Sequence, residues 1–292
     1  MTPVPTPEPR LTATAAGPVQ YVDRGDGPPV LFVHGSPGGC DQGARMTDFV
    51  VERGHRVVAL SRPGYLETPL DDANATPDAQ ADLAIALMDT LDIARFSLMC
   101  WSGGGPSSYR LAATHPERVE SLVAIAAVSK PYAFEHTGEE RMLMSRFGKW
   151  IVSEMVRHTP NEVVKQLAAE EGSLTKDQAK RLTAEILDDP VQRQWALDLM
   201  ESVAGKRKAG FTNDAKEFPR LDLDLPAVST STLLIHAKTD ADVPYEHSRF
   251  AHEQLPSSEL VTIEIGTHVS AWTGTGCAAT QERIATFLTG QR

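Results

Sequence analysis

The chain has 292 residues, 41% of them hydrophobic, which is enough apolar material for one large domain or two modest ones. Its formal net charge of −11 argues against nucleic acid or an anionic membrane as the main partner, and leaves a small molecule open. Three scattered cysteines, Cys40, Cys100 and Cys277, form neither a disulfide framework nor a Cys-x-x-Cys pair, so neither zinc nor any other metal or organic cofactor is implied.

Residues 1–9 are rich in proline, which offers no ladder hydrogen bond, and read as a disordered tail. They lack the basic start and apolar run of a signal peptide. No apolar stretch approaches the roughly 18 residues that span a bilayer, so the expectation is a cytoplasmic protein with no membrane insertion. Short strands are predicted at 11–15 and 19–23, followed by a turn at Arg24-Gly25-Asp26-Gly27-Pro28. Pro29-Val30-Leu31-Phe32-Val33 is an unbroken apolar run, the pattern of a strand buried on both faces, and it ends in His34-Gly35-Ser36-Pro37-Gly38-Gly39. A second such run at 56–60 ends in Ser61-Arg62-Pro63-Gly64-Tyr65. Thr76-Pro77-Asp78 starts a helix, with a hydroxyl cap, an early proline and an early acid, and Leu83, Leu87 and Leu91 continue it at helical spacing. A strand at 96–100, a turn at 101–104, a helix at 106–114 and a strand at 119–127 follow. This alternation implies a parallel sheet covered by helices.

After Lys130-Pro131 the pattern becomes helical, with helices predicted at 139–156, 160–170, 175–187 and 190–203. Strands return at 232–237 and 260–265, each followed by a helix. The sequence therefore predicts an α/β domain with a helical insertion. Acidic pairs such as Glu139-Glu140 and Glu170-Glu171 read as solvated helix faces.

In Met99-Cys100-Trp101-Ser102-Gly103-Gly104-Gly105 an apolar strand runs into small residues and then a helix. A serine there sits on a crowded turn, its hydroxyl presented above the sheet, and small residues are needed two positions to either side. Gly104 meets that need; Cys100 stands where glycine is usual, buried beneath the serine. No Walker lysine and no dinucleotide-type glycine spacing accompany the turn. Acyl transfer also needs two donors aimed at a developing oxyanion. The backbone N–H groups of Ser36 and Gly103 are the natural pair, with His34 a buried structural residue. A further strand delivers a loop with two carboxylates, Asp240 and Asp242, and the last strand ends near His268. In a parallel sheet the carboxyl ends of the strands share one edge, where ligands bind. The order serine, acid, histidine is the one this fold uses. The other histidines, His55, His115, His136, His158, His236, His247 and His252, show no partner set and read as surface or packing residues.

Taken together, these segments resemble the α/β-hydrolase fold family, of the cap-bearing esterase and lipase type. The matching pieces are the loops at 34–39 and 61–65, Trp101-Ser102-Gly103-Gly104, His115-Pro116-Glu117-Arg118-Val119, Asp240 with Val243-Pro244, and His268. The resemblance implies a mostly parallel central sheet flanked by helices, with 10–130 and 216–292 as a discontinuous core and 131–215 as a helical cap. It places the acid three residues before Val-Pro, which selects Asp240 over Asp242. It further implies Ser102 as nucleophile, His268 as general base, and an acyl pocket drawn from Trp101, Trp150, Met155 and Trp195, with Met142, Met144 and Met200 as further lining. Asn213-Asp214, where the chain re-enters the core, has a structural role in this scheme.

The function this implies is a carboxylesterase-like serine hydrolase acting on an ester, lactone or related small acyl compound through an acyl-enzyme. A carbon–carbon bond hydrolase or an acyltransferase would use the same three residues. A dehalogenase or epoxide hydrolase would need a carboxylate nucleophile, and a proline-specific aminopeptidase matches the loops poorly. The alternative of another class is a non-catalytic receptor for a small ligand. Oligomeric state is left open by the sequence.

Overall fold

The computed structural model describes residues 7–134 and 138–290. Its strands form one eight-stranded sheet: β1 (Arg10–Thr14), β2 (Gly17–Arg24), β3 (Pro29–Val33), β4 (Arg56–Leu60), β5 (Phe96–Trp101), β6 (Val119–Ile125), β7 (Thr232–Ala237) and β8 (Ser258–Ile263).

 The order across it is β1-β2-β4-β3-β5-β6-β7-β8, with β1 and β2 antiparallel to their neighbours and β3 through β8 parallel. All the predicted strands are present. The tail predicted at 1–9 lies mostly outside the described residues, and residues 7–9 precede β1 without regular structure.

The unbroken apolar runs behave as double-faced strands. On β5, Leu98 and Cys100 point into one core with Leu83, Leu87 and Tyr109, while Met99 and Trp101 point into the other with Phe32, Val123 and Trp272. That period of two buries every residue of β5 between two helical layers. Helix Pro77–Thr90 starts where its cap predicts: the Thr76 hydroxyl accepts the Ala79 amide at 3.3 Å.

Several boundaries differ from the sequence reading, each for a local reason. The strand predicted at 119–127 stops at Ile125, because Ala126 takes φ 45° and turns the chain back toward β5. The last strand runs two residues earlier than 260–265: its ladder with β7 ends at the Ala237–Ile263 pair, and Ile265 lies exposed beyond it. The helix predicted at 139–156 is two helices, Gly138–Leu143 and Arg146–His158, because Ser145 caps the second by accepting the Gly148 amide at 3.0 Å. Helices Cys40–Met46, Asp48–Glu52 and Lys208–Glu217 were not anticipated from the sequence. Between β6 and β7 the chain also forms helices Pro160–Glu170, Lys176–Asp188 and Pro190–Ser202, all of which lie within the predicted helical stretch.

Candidate active site

The parallel strands deliver the loops after β3, β5, β7 and β8 to one sheet edge. Ser102 follows β5 directly and has φ 52°, a left-handed conformation that a side chain of L chirality normally avoids. The helix Gly105–Thr114 begins just beyond it. Crowding explains the small residues around the serine: a Cβ at Gly104 would stand 2.4 Å from the Val33 carbonyl oxygen, and one at Gly105 would stand 2.3 Å from that of Val128. Cys100 is fully buried beneath this turn, paired in register with Val33 and Ala124, and burial pushes its thiol up to about 12.

The loop after β3 lies against this turn. A Cβ on Gly103 would fall 2.0 Å from Ser36 Oγ, and one on Gly35 would fall 3.1 Å from the Ser102 Cβ. Among the described residues, no oxygen accepts the Ser36 amide. Below the loop is a buried polar cluster. Arg62 donates to both carboxylate oxygens of Asp214 at 2.8 Å, to Ser36 Oγ at 2.8 Å and to the Gly35 carbonyl at 2.9 Å. The hydroxyls of Ser36 and Tyr65 also donate to Asp214. His34 Nε2 accepts the Arg62 amide at 2.9 Å while Nδ1 stands 2.7 Å from the Gly35 carbonyl, the pattern of a neutral ring protonated at Nδ1. Burial, reinforced by the Arg62 charge, holds the His34 pKa well below the ordinary imidazole value.

On the other side, His268 Nδ1 stands 2.7 Å from Asp240 Oδ2. Asp240 Oδ1 accepts the amides of Asp242 and Val243 at 2.8 and 3.0 Å, which fixes the carboxylate in a tight turn. Burial works against charge on Asp240, but His268 and His236 outweigh it and hold its pKa well below the usual carboxylate range. Burial likewise opposes charge on His268. The carboxylates of Asp240, Asp242 and Glu171 outweigh that too, and raise its pKa to about 10. His268 Nε2 makes no hydrogen bond, to Ser102 or to any other described residue; Asp242 Oδ2 lies 3.2 Å from it without hydrogen-bond alignment. The Trp101 indole donates to the His268 carbonyl at 3.2 Å, tying this loop to β5.

Two residues here correct the sequence reading. His236, taken for a packing residue with no partner set, is buried with Nε2 3.1 Å from Asp240 Oδ2 and Nδ1 2.7 Å from Ser248 Oγ. Its partners are a turn and a helix away, so nothing adjacent in sequence marks them. Glu171, taken for a solvated helix face, is half-buried, and its carbonyl accepts the amides of His268 at 2.8 Å and Ala241 at 3.4 Å. The neighbouring Ser173 amide donates to Thr239 at 2.7 Å, and Gly172 bridges Asp240. Residues 171–173 therefore strap the acid loop to the histidine loop. The side chains of Glu139, Glu140 and Glu170 lie outside the described residues, as does His136. His55 and His247 are buried; His115, His158 and His252 are half-buried or exposed.

A cavity of about 360 Å³ opens between the sheet edge and the helices of 138–217. Ser36, Ser102 and Gly103 form part of its floor. Of the predicted pocket residues, Trp101 lines it, as do Met144 and Met200. Trp150 is 58% exposed and Met155 36% exposed, both away from the lining, because their helix turns that face outward. Met142 is likewise exposed outside the lining. Trp195 stacks on Trp272 with ring centroids 5.5 Å apart and serves the core. Leu167, Leu199 and Phe211 supply apolar wall in their place. Among the described residues, no group of three metal-ligating side chains is gathered and no helix is long and apolar enough to cross a membrane.

A family model described as alpha/beta hydrolase fold matches residues 28–275. An alpha/beta hydrolase fold protein from Nakamurella multipartita superposes with a TM-score of 0.92 at 44% identity, covering 96% of this chain and 99% of that one. An esterase from Thermogutta terrifontis shares the fold at TM-score 0.69 and 20% identity, covering 97% and 99% of the two chains. In sequence, the Bacillus subtilis protein YcgS, described as an uncharacterized hydrolase, is 25% identical over 93% of this chain and 95% of its own. A 2-hydroxy-6-oxononadienedioate/2-hydroxy-6-oxononatrienedioate hydrolase of Escherichia coli is 26% identical over 87% and 85%.

Proposed function

The chain belongs to the alpha/beta hydrolase fold family, and on that premise we propose that it is a serine hydrolase cleaving a carboxylic ester, lactone or related small acyl compound, with 131–215 acting as a helical cap. The observation that carries this is the conformation of Ser102: a serine held at φ 52° on the floor of the cavity, at the sheet edge that also bears the 2.7 Å His268–Asp240 pair. Strain of this kind persists only where the surroundings enforce it.

In the proposed reaction His268, once deprotonated, takes the proton from Ser102 as the hydroxyl oxygen attacks the substrate carbonyl. Asp240 orients the ring through Nδ1 and stabilises the imidazolium. The amides of Ser36 and Gly103 receive the oxyanion, the imidazolium returns its proton to the departing group, and water then cleaves the acyl-enzyme by the same steps. A serine at position 102 lacks the carboxylate that a dehalogenase mechanism would need.

Carbon–carbon bond hydrolysis is the second reading, and the name of the Escherichia coli relative favours it. A dioate, however, carries two carboxylates, and no lysine or arginine lines the cavity among the described residues. A fluorophosphonate probe separates the readings from a receptor: labelling of Ser102, abolished in Ser102→Ala, together with turnover of a short p-nitrophenyl ester, is expected. A folded wild-type protein that takes up no probe and turns over no ester would end the proposal.

A further inference from the structure

We propose that Arg62 is a positioning residue for the oxyanion site: through the Gly35 carbonyl it aims and polarises the amide of Ser36. That role deepens the serine hydrolase reading and rests on it for the reaction the amide serves.

The Gly35 carbonyl and the Ser36 N–H are the two ends of one peptide unit. In a trans unit they point in opposite directions, so whatever fixes the oxygen also aims the hydrogen. Two side chains fix the oxygen: Arg62 Nη2 donates to it at 2.9 Å and His34 Nδ1 at 2.7 Å. Arg62 is 2% exposed and His34 0%, so bulk water screens neither contact. The loop also folds back over the same oxygen, since a Cβ on Gly38 would stand 3.0 Å from it. At the other end, the Ser36 N–H has no acceptor among the described residues, and Ser36 and Gly103 both line the cavity. A backbone donor left unpaired on a cavity floor, with its own carbonyl fully engaged behind it, suits an acceptor that the substrate brings.

Arg62 is held in place more firmly than a loop anchor requires. Nη1 and Nη2 each donate to Asp214 at 2.8 Å, and Nη2 also donates to Ser36 Oγ at 2.8 Å. Nε donates to the His34 carbonyl at 3.2 Å, and the Arg62 amide donates to His34 Nε2 at 2.9 Å, which leaves Nδ1 as the donor of that ring. One planar guanidinium thus touches three consecutive loop residues, His34, Gly35 and Ser36. The ammonium of a lysine, a point charge without that fork, cannot span the same set.

A carbonyl that accepts hydrogen bonds, one of them from a cation, draws electron density from its own N–H. The N–H becomes a stronger donor, by about 10–30% per bond. Asp214 balances the guanidinium charge, so the influence reaches the cavity through the peptide unit and not as a bare field. A tetrahedral oxyanion is a better acceptor than the ground-state carbonyl and gains more from the polarised donor. The benefit therefore falls on kcat and leaves KM nearly untouched.

The test uses the full chain carrying Arg62→Lys, with Arg62→Met/Asp214→Leu as a second variant that keeps no unpaired buried charge. With p-nitrophenyl butyrate at one pH, kcat is expected to fall about tenfold to a hundredfold in both, with KM within about twofold of wild type. p-Nitrophenyl dimethylcarbamate, carrying 13C at its carbonyl, forms a long-lived carbamoyl group on Ser102, and the isotope-edited infrared band of that carbonyl reads its hydrogen bonding. The wild-type band is expected below that of denatured carbamoyl-protein, and either variant should bring it back about half of the way. A cluster that only anchors the loop would cost stability and leave the band of the folded protein where it is. An unshifted band, with or without a loss of kcat, would overturn the inference while carbamoylation upheld the serine reading. A folded wild-type protein that takes up neither the carbamate nor a fluorophosphonate would sink both.

Discussion

The guanidinium of Arg62 and the carboxylate of Asp214 face each other through two hydrogen bonds of 2.8 Å, both side chains buried, directly beneath the loop that carries Ser36. The pair joins the end of β4 to helix Lys208–Glu217, and its spare hydrogen-bonding capacity goes to Ser36, Gly35 and Tyr65. Asp214 is thus the point at which helix Lys208–Glu217 holds the loop after β3.

Breaking that pair from one side leaves a buried charge without its partner. Asp214→Ala and Arg62→Met are each expected to cost about 3–5 kcal/mol in urea unfolding, while the double variant Arg62→Met/Asp214→Leu recovers part of the loss. Single variants losing less than about 1 kcal/mol would mean that the cluster is not a stabilising pair.

Ser102 is strained, and relief of strain should be visible when the side chain is removed. Ser102→Gly is expected to match or exceed Ser102→Ala in stability by about 1 kcal/mol, since glycine adopts φ 52° without steric cost. Both variants should lack esterase activity. Equilibrium unfolding of the two decides it, and a Ser102→Gly protein clearly less stable than Ser102→Ala would contradict the assigned backbone conformation.

The raised pKa of His268 has two consequences of definite sign. Because it lies above the ordinary 6.5, its stabilising effect is full below that pH and is lost as pH rises through about 10. The base form needed for attack predominates only above the raised value and is a growing fraction below it, so kcat/KM should climb through the alkaline range. Asp242→Asn removes one of the carboxylates responsible and should move the climb to lower pH. A wild-type profile already flat above 6.5 would refute the assignment.

The strap at 171–173 predicts an effect at a distance from the reacting atoms. A Cβ on Gly172 would lie 2.9 Å from Thr267 Cγ2 and 3.1 Å from the Gly266 carbonyl, so Gly172→Val must push on the loop bearing His268. A displacement of even about 1 Å can cost about 10²-fold, and kcat should fall accordingly while fluorophosphonate labelling slows. Unchanged kcat would show that the strap does not set the position of the imidazole.

The fold was legible because the buried strands are built on short apolar runs, unbroken in β3 and closely so in β4 to β7, and because the β–α alternation admits few topologies. The positions of Ser102, Asp240 and His268 were legible for the same reason: each lies within a few residues of a strand end, so topology sends them to one edge. Arg62, Asp214 and His236 were opaque. A charged side chain looks the same in sequence whether it is solvated or buried, and their partners lie 152 residues away for Arg62 and Asp214 and across a turn for His236. The pocket was harder still, since Trp150, Met155 and Trp195 sit on helices whose rotation is set by packing against one another. Glu171 was missed because its backbone carbonyl, which leaves no trace in residue type, makes the contacts to both loops.

The helices between β6 and β7 are not independent of the loops they face. Three consecutive residues of that stretch, 171–173, are stitched to the loops of both Asp240 and His268. A chimera that replaces the whole stretch with foreign helices would lose those stitches, so the transplant must retain residues 171–173 or supply equivalent amides and carbonyls.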